Sequence, residues 1–317
     1  MARINQFIKA ERYLLFYFLG MVVLYSLLSL FRHWHFQSFA LDLGLHDQMI
    51  WYYSRFKAPT CTLTPVFDNL SSMLGDHFDP IEALAAPLFW VSPHVEDLLI
   101  LQSFLLMLPL FPIFFFTRKR LGRRAAYFFC AAYSTYWGIQ LTANFDFHEV
   151  SFAVPLIAFA IYFMDQERWK SFSISALLLI LVKEDMCLLV SFLGIYLVLR
   201  RHFARGLFWM IFGFLIFCAE IKFVIPFFKG SPGYGYWFYP QLGPGPWEAL
   251  KNCVIHPWIV PLTLFSNKTK IVTILVTYGP FSFLSLLSPL SILTLPSVCE
   301  RMLSNQPDFW ELRAHHY

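Results

Sequence analysis

The chain has 317 residues, 58% of them hydrophobic and only 14% charged, against about 25% charged in a typical soluble domain. This composition excludes a soluble enzyme on a membrane tail. It points to an all-α polytopic transmembrane protein, a single integral membrane domain over residues 1–317. The net charge of +4 gives no sign of nucleic-acid binding, because the basic residues lie in short scattered segments.

The first apolar run, residues 13–31, follows Arg3, Lys9 and Arg12. It is too long for a signal-peptide core and reads as an uncleaved anchor. Further apolar stretches fall at 97–116, 125–143, 150–163, 171–182, 186–199, 207–226, 270–284 and 289–303, about nine membrane segments in all. Several are shorter than the roughly 20 residues of a straight crossing. Two long polar loops lie between them, at 32–96 and 227–269. The first contains Ile81–Val91, an apolar stretch between Pro80 and Pro93 that is too short to span and suits the interface. The second is rich in Gly, Pro and aromatics over 231–247, followed by a candidate interfacial helix over 248–256. The six cysteines have no metal spacing. Cys61 and Cys253, one in each long loop, are the pair that an oxidising compartment would allow to join.

Orientation follows from the basic residues. Arg3, Lys9 and Arg12, then Arg118, Lys119, Arg120, Arg123 and Arg124, then Arg168 and Lys170, then Arg200, Arg201 and Arg205 occupy four short segments that must share a side. The positive-inside rule makes that side the cytoplasm. Of the 20 carboxylates, only Glu11, Asp165 and Glu167 fall with them. Residues 171–199 carry Lys183, Glu184 and Asp185 near their middle and basic groups at both ends. One crossing would put one basic cluster outside. A hairpin of two short helices keeps both inside and leaves the KED triplet at a recessed outward tip, tolerated beside protein or water.

The polar residues then gather at one membrane face, in five motifs. Charge near lipid is expensive, so such a gathering reads as a functional site. In FALDLGLHDQ (39–48), Asp42 reads as the cap of a helix Leu43–Ser54 or as a general base. Asp47 lies inside that helix, as part of a solvated face or as the base. GDHFDP (75–80) offers His77 between Asp76 and Asp79, either a capped turn or a phosphate or metal contact. No second half of a metal site has diagnostic spacing, so a divalent cation stays an open option. NFDFHE (144–149) places Asp146, His148 and Glu149 at a sharp turn, solvated or substrate-facing. In LVKED (181–185), Lys183 reads as an internal ion pair or as a phosphate partner. RAHHY (313–317) brings Arg313, His315, His316 and Tyr317 together, as a polar loop or a phosphate contact. Phosphate-binding loops, dinucleotide fingerprints, nucleophile elbows and H-E-x-x-H are absent.

These motifs, in this order, resemble a family of bacterial and archaeal polytopic proteins catalogued as domain of unknown function number two thousand and seventy-nine. Asp42, Leu43, Gly44, Asp47 and Gln48 match its D-L-G-x-x-D-Q, and His77, Phe78 and Pro80 its H-F-x-P. Residues 145–149 approximate its F-H-x-E, with Glu149 directly after His148. Lys183, Glu184 and Asp185 match its K-E-D, and His316 and Tyr317 its H-Y. The resemblance implies a plasma-membrane (inner-membrane) protein with further spans beyond Tyr317. That family is in turn similar to the C-type membrane glycosyltransferases (GT-C). This fold-level analogy implies a first outer loop with two juxtamembrane helices and transfer of a sugar from a polyprenyl-phosphate donor on the outer face. Asp47 or Asp42 would be the base. His77, Asp146, His148, Glu149, Lys183, Glu184, Asp185, Arg313, His316 and Tyr317 would hold the lipid-linked sugar donor, with membrane lipids as the other partner. The rival reading is a non-enzymatic transporter or lipid-binding protein that uses recessed acids as proton or cation sites.

The orientation is testable. A single cysteine beside Asp47 or Asp308 should react with a membrane-impermeant thiol reagent in intact cells, and one beside Arg120 should not. Reporters fused after Arg168 and after Arg201 should both read cytoplasmic. Labelling confined to the Arg120 site would reverse the orientation, and opposite readings of the two fusions would make residues 171–199 one crossing.

Overall fold

The structure, a computed structural model, describes residues 11–62, 72–231 and 233–312 and contains no strand among them. It divides into two compact units at Lys183/Glu184. The first begins with α1 (Arg12–Trp34), whose 23 residues make a rod of about 35 Å. Phe16, Leu27 and Phe31 stand more than half exposed on it, while Leu14, Phe18 and Tyr25 are buried. An exposed apolar stripe of this kind is what lipid covers. Then come α2 (Ala40–Ser54), a 3-10 turn Pro80–Ala85, α3 (Leu88–Val91), α4 (Val95–Met107), α5 (Leu110–Ser134), α6 (Trp137–Ala143), α7 (Ala153–Asp165) and α8 (Trp169–Ile180).

The basic segment RKRLGRR falls inside α5, and Gly122 breaks the helix there with φ 84° and ψ 175°. That conformation is open almost only to glycine. The chain reverses at this point. The Tyr133 hydroxyl donates to the Leu106 carbonyl at 2.7 Å, Cys130 Sγ lies 3.5 Å from the Leu110 carbonyl, and the Phe114 and Tyr127 rings meet at 5.0 Å. The apolar stretches on either side of the basic turn therefore run antiparallel. At the turn, Arg118 pairs with Glu11, Arg123 lies 3.9 Å from the same carboxylate, and Arg120 pairs with Asp165. Three of the basic segments thus meet at one end of this unit, together with the three carboxylates that the sequence places beside them. Helices α7 and α8 hold only 13 and 12 residues, about 18–20 Å each, shorter than the roughly 30 Å of a bilayer core, and α8 ends at Ile180. There the Leu181 carbonyl accepts from the Ile81 amide at 2.9 Å.

The second unit opens with α9 (Glu184–Leu199) and α10 (Phe203–Ala219). A tight turn joins them, with Arg201 at φ 64°. They pack so closely that a Cβ on Gly194 would lie 2.2 Å from the Met210 backbone nitrogen, the small-residue approach by which membrane helices associate. α10 continues through a π-helical turn, Glu220–Val224, to Lys229. The unit ends with α11 (Pro246–Ile255), α12 (Ile259–Leu264), α13 (Lys268–Tyr278) and α14 (Leu295–Leu303).

Among the described residues, three helical segments are long and apolar enough to cross a membrane: Arg12–Trp34, Val95–Ser134 and Phe203–Lys229. The second is the one that reverses at Gly122. The sequence leads one to expect about nine segments, but several of the others are short. Within 270–284 the α-helix stops at Tyr278 and the chain turns through left-handed Ser282 and Phe283. Within 289–303 only nine residues are α-helical. The stretch 81–91 is two short pieces rather than one helix, because its 3-10 turn ends at Ala85 before α3. The helix expected over 248–256 is present as α11, with Trp247 and Val254 each 72% exposed. The cysteines form no disulfide, and Cys61 is packed with Met49 and Met73.

The Gly194 contact gives a direct check. Gly194→Leu should lower the thermal midpoint of the detergent-purified protein, since overpacking against main chain costs about 1–3 kcal/mol. Gly20→Leu, where an added Cβ meets nothing within 4 Å, should leave the midpoint nearly unchanged. Equal midpoints for the two variants would contradict the packing of α9 on α10.

Candidate active site at the acidic end of the first unit

The NFDFHE turn is held by two buried side chains. Gln102, on apolar α4, donates its amide to the carbonyls of Thr142 (3.0 Å), Phe145 (3.2 Å) and Asp146 (3.1 Å), and accepts from the His148 amide at 3.1 Å. Asp146 pairs with Arg32 in the last turn of α1, and its second oxygen accepts the Phe39 amide at 2.6 Å. Phe39 is the residue that opens α2. One carboxylate therefore ties the end of α1, the start of α2 and the turn that carries His148 and Glu149. Asp42 is not the cap that the sequence leads one to expect: α2 begins at Ala40, and the amide at its start is taken by Asp146 from across the fold. Asp42 lies instead in the first turn.

Below this tie sits a buried cluster. His46 Nδ1 is 2.5 Å from Glu82 Oε1, and His46 Nε2 is 3.7 Å from Glu149 Oε2. Lys183 donates to the other oxygen of Glu149 at 3.0 Å. The His46 and His148 rings lie 5.1 Å apart. His46, Glu82, Glu149 and His148 are each no more than 9% exposed. Asp79 is 4% exposed, and its Oδ1, like Oε2 of Glu82 and the Tyr53 hydroxyl, has no hydrogen-bond partner.

Electrostatics divides the carboxylates. Burial, then the charge of Glu149, pushes Glu82 well above the usual carboxylate range. Burial, then Glu82, does the same to Asp79. Burial would also raise Glu149, but Lys183, His46 and His148 together hold it well below that range. Burial pushes His46 down against the opposing pull of Glu149. The two neighbouring carboxylates are thus driven in opposite directions, Glu149 down beside Lys183 and Glu82 up. Environments that push two nearby carboxylates apart in this way are the equipment of acid–base chemistry.

The other predicted site residues are placed as follows. Asp42 is half-buried and near enough to act on the charges of His46 and His148, so it stands at the rim of the cluster. His77 is likewise within electrostatic range of His46 and Glu149. Asp47 looks another way: it is half-buried, and burial and Glu96 raise it. Glu184 and Asp185 belong to the second unit, where the Tyr234 hydroxyl donates to Glu184 at 2.8 Å. Arg313, His315, His316 and Tyr317 lie outside the described residues. His46, Glu82 and Gln102 are residues of this cluster and its support that the motif reading passes over. His46 stands between two residues of the D-L-G-x-x-D-Q match, about one helical turn after Asp42. Glu82 and Gln102 lie inside apolar runs, where a lone polar residue was the available signal.

The tie at Asp146 should dominate stability. Asp146→Ala and Arg32→Met should each destabilise by about 3–5 kcal/mol, because each leaves a buried charge without its partner. The double variant should be less destabilised than the two single losses added, by more than about 1 kcal/mol. Strict additivity in chemical unfolding would mean that the pair does not form.

No curated protein and no solved structure matches the chain. A family model described as a predicted membrane protein matches residues 32–317, a span that takes in every one of the five motifs and both residues of the Asp146 tie to α1 and α2, and the chain therefore belongs to the DUF2079 family.

Proposed function

We propose that the chain is a membrane-face transferase that moves a sugar from a polyprenyl-phosphate donor to an acceptor hydroxyl, with its reacting centre at the Asp42–His46–Glu149–Lys183 end of the first unit. One observation carries this reading. Among the described residues of that unit, no Asp, Glu, His, Lys or Arg lies midway along α1, α4, α7 or α8; these groups stand near the helix ends. An ion path through the unit would need such groups along the way, whereas a reaction at one face needs them only there. Asp42 fits the general base, since it combines access to water with a position one turn before His46. Asp47, raised by burial and by the charge of Glu96 and not among the charges that act on His46, fits that role less well. Lys183 keeps 17% side-chain exposure while it holds Glu149, and its compact charge suits a departing phosphate. The lipid-linked donor follows from the basic residues: with those inside, this end faces away from cytoplasmic nucleotide sugars.

A second reading has one observation in its favour. Glu220 is buried in the long apolar helix of the second unit, on a π-helical turn, with Cys187 Sγ 3.2 Å away. Such turns recur at functional sites, and a buried acid in an apolar helix suits proton carriage.

The test is transfer by the full chain in liposomes from a polyprenyl-phosphate sugar. Asp42→Asn should reduce the rate by about 10²–10⁴, the usual contribution of a general base, and Asp47→Asn by much less. Full activity of Asp42→Asn would remove that base. Absence of transfer with any such donor, together with proton uptake abolished by Glu220→Gln, would replace the transferase by the carrier.

A further inference from the structure

We infer that His46, Glu82 and Glu149 form a binding site for a single divalent transition-metal ion of the Zn²⁺ or Mn²⁺ type. One donor atom from each of the three residues lies within 4.8 Å of the other two, and all three residues are buried. The spacing of the facing donors fits an ion between them. Nε2 of His46 and Oε2 of Glu149 are 3.7 Å apart, the separation of two ligands held at about 2.1–2.2 Å from one centre with an angle of roughly 120°. Lys183 occupies Oε1 of Glu149 and leaves Oε2 to face His46. On the other side of the ring, Nδ1 meets Glu82 Oε1. A carboxylate there orients a metal-binding histidine and fixes the tautomer that presents Nε2.

A further observation points to a cation. Oε2 of Glu82 and Oδ1 of Asp79 are buried with no hydrogen-bond partner. Buried polar atoms are normally satisfied, and a metal is one of the recognised reasons for an exception. The mixed imidazole and carboxylate donors select a borderline ion over Ca²⁺. Two protein donors, Nε2 of His46 and Oε2 of Glu149, with Glu82 behind the ring, leave positions open to water or substrate. Binding of the ion does not depend on the transfer reaction, so either can fail alone.

The experiment uses the purified full chain in detergent, stripped with chelator and then titrated with Zn²⁺, Mn²⁺ or Co²⁺ alone. One equivalent should bind, and His46→Ala and Glu149→Gln should each weaken affinity at least tenfold. Asp165→Asn, at the opposite end of the unit, should not change it. Because a core variant can unfold, the unsubstituted protein supplies a second readout: pulsed electron paramagnetic resonance of bound Mn²⁺ should show coupling to an imidazole nitrogen. Stoichiometric binding with that coupling supports the site. No binding at micromolar ion, binding unchanged in both folded variants, or bound Mn²⁺ with no nitrogen coupling would each overturn it.

Discussion

The structure of the first unit depends on how one buried carboxylate is satisfied. Asp146 is nearly inaccessible to water and would be costly there if left alone. Arg32 and the Phe39 amide both come to it. In meeting that demand the fold fixes the distance between the end of α1 and the NFDFHE turn, and starts α2 at a set position. The placement of α2 delivers His46. The placement of the turn delivers His148 and Glu149. Gln102 then holds the turn from behind by its carbonyls. The acid–base cluster is thus a consequence of a tie made one layer above it.

Charge also organises the molecule at a larger scale. In the first unit the arginines of the RKRLGRR turn meet Glu11 and Asp165 at one end, and the carboxylates of the motifs collect at the other. The second unit repeats the division along α9, with Glu184 and Asp185 in its first turn and Arg200 and Arg201 just past its last. Acids at a helix start and bases after its end also suit the helix dipole. Between their ends α1, α4, α7 and α8 of the first unit carry no Asp, Glu, His, Lys or Arg, whereas α10 of the second runs on into Glu220.

Much of this was legible in the sequence. The basic segment 118–124 marked a reversal, and the structure sets it at Gly122, a residue the charge pattern did not single out. Four of the five motifs, FALDLGLHDQ, GDHFDP through Asp79, NFDFHE and the lysine of KED, contribute to one cluster, and His77 lies within its electrostatic reach. What was not legible came from contacts between distant segments. The cap of α2 was assigned to Asp42 because local rules look for a polar residue beside the helix start, whereas the partner stands more than a hundred residues later. Glu82 was hidden in an apolar stretch, where hydropathy dilutes a single carboxylate. His46 was passed over because its neighbours Asp42 and Asp47 carried the more familiar pattern. The short α13 and α14 show the opposite failure: composition alone reads as a span wherever apolar residues run on, and does not register the left-handed turn at Ser282 and Phe283.

The convergence of α2 and the NFDFHE turn is the central claim, and proximity in native membranes tests it most directly. Cysteines replacing His46 and Glu149, in a background without other cysteines, would be treated with a short bifunctional thiol reagent. The side-chain contact predicts efficient intramolecular cross-linking of this pair and none between positions 46 and 165, which lie at opposite ends of the unit. Failure of the 46/149 pair to link, with both thiols shown to be reactive, would contradict the site.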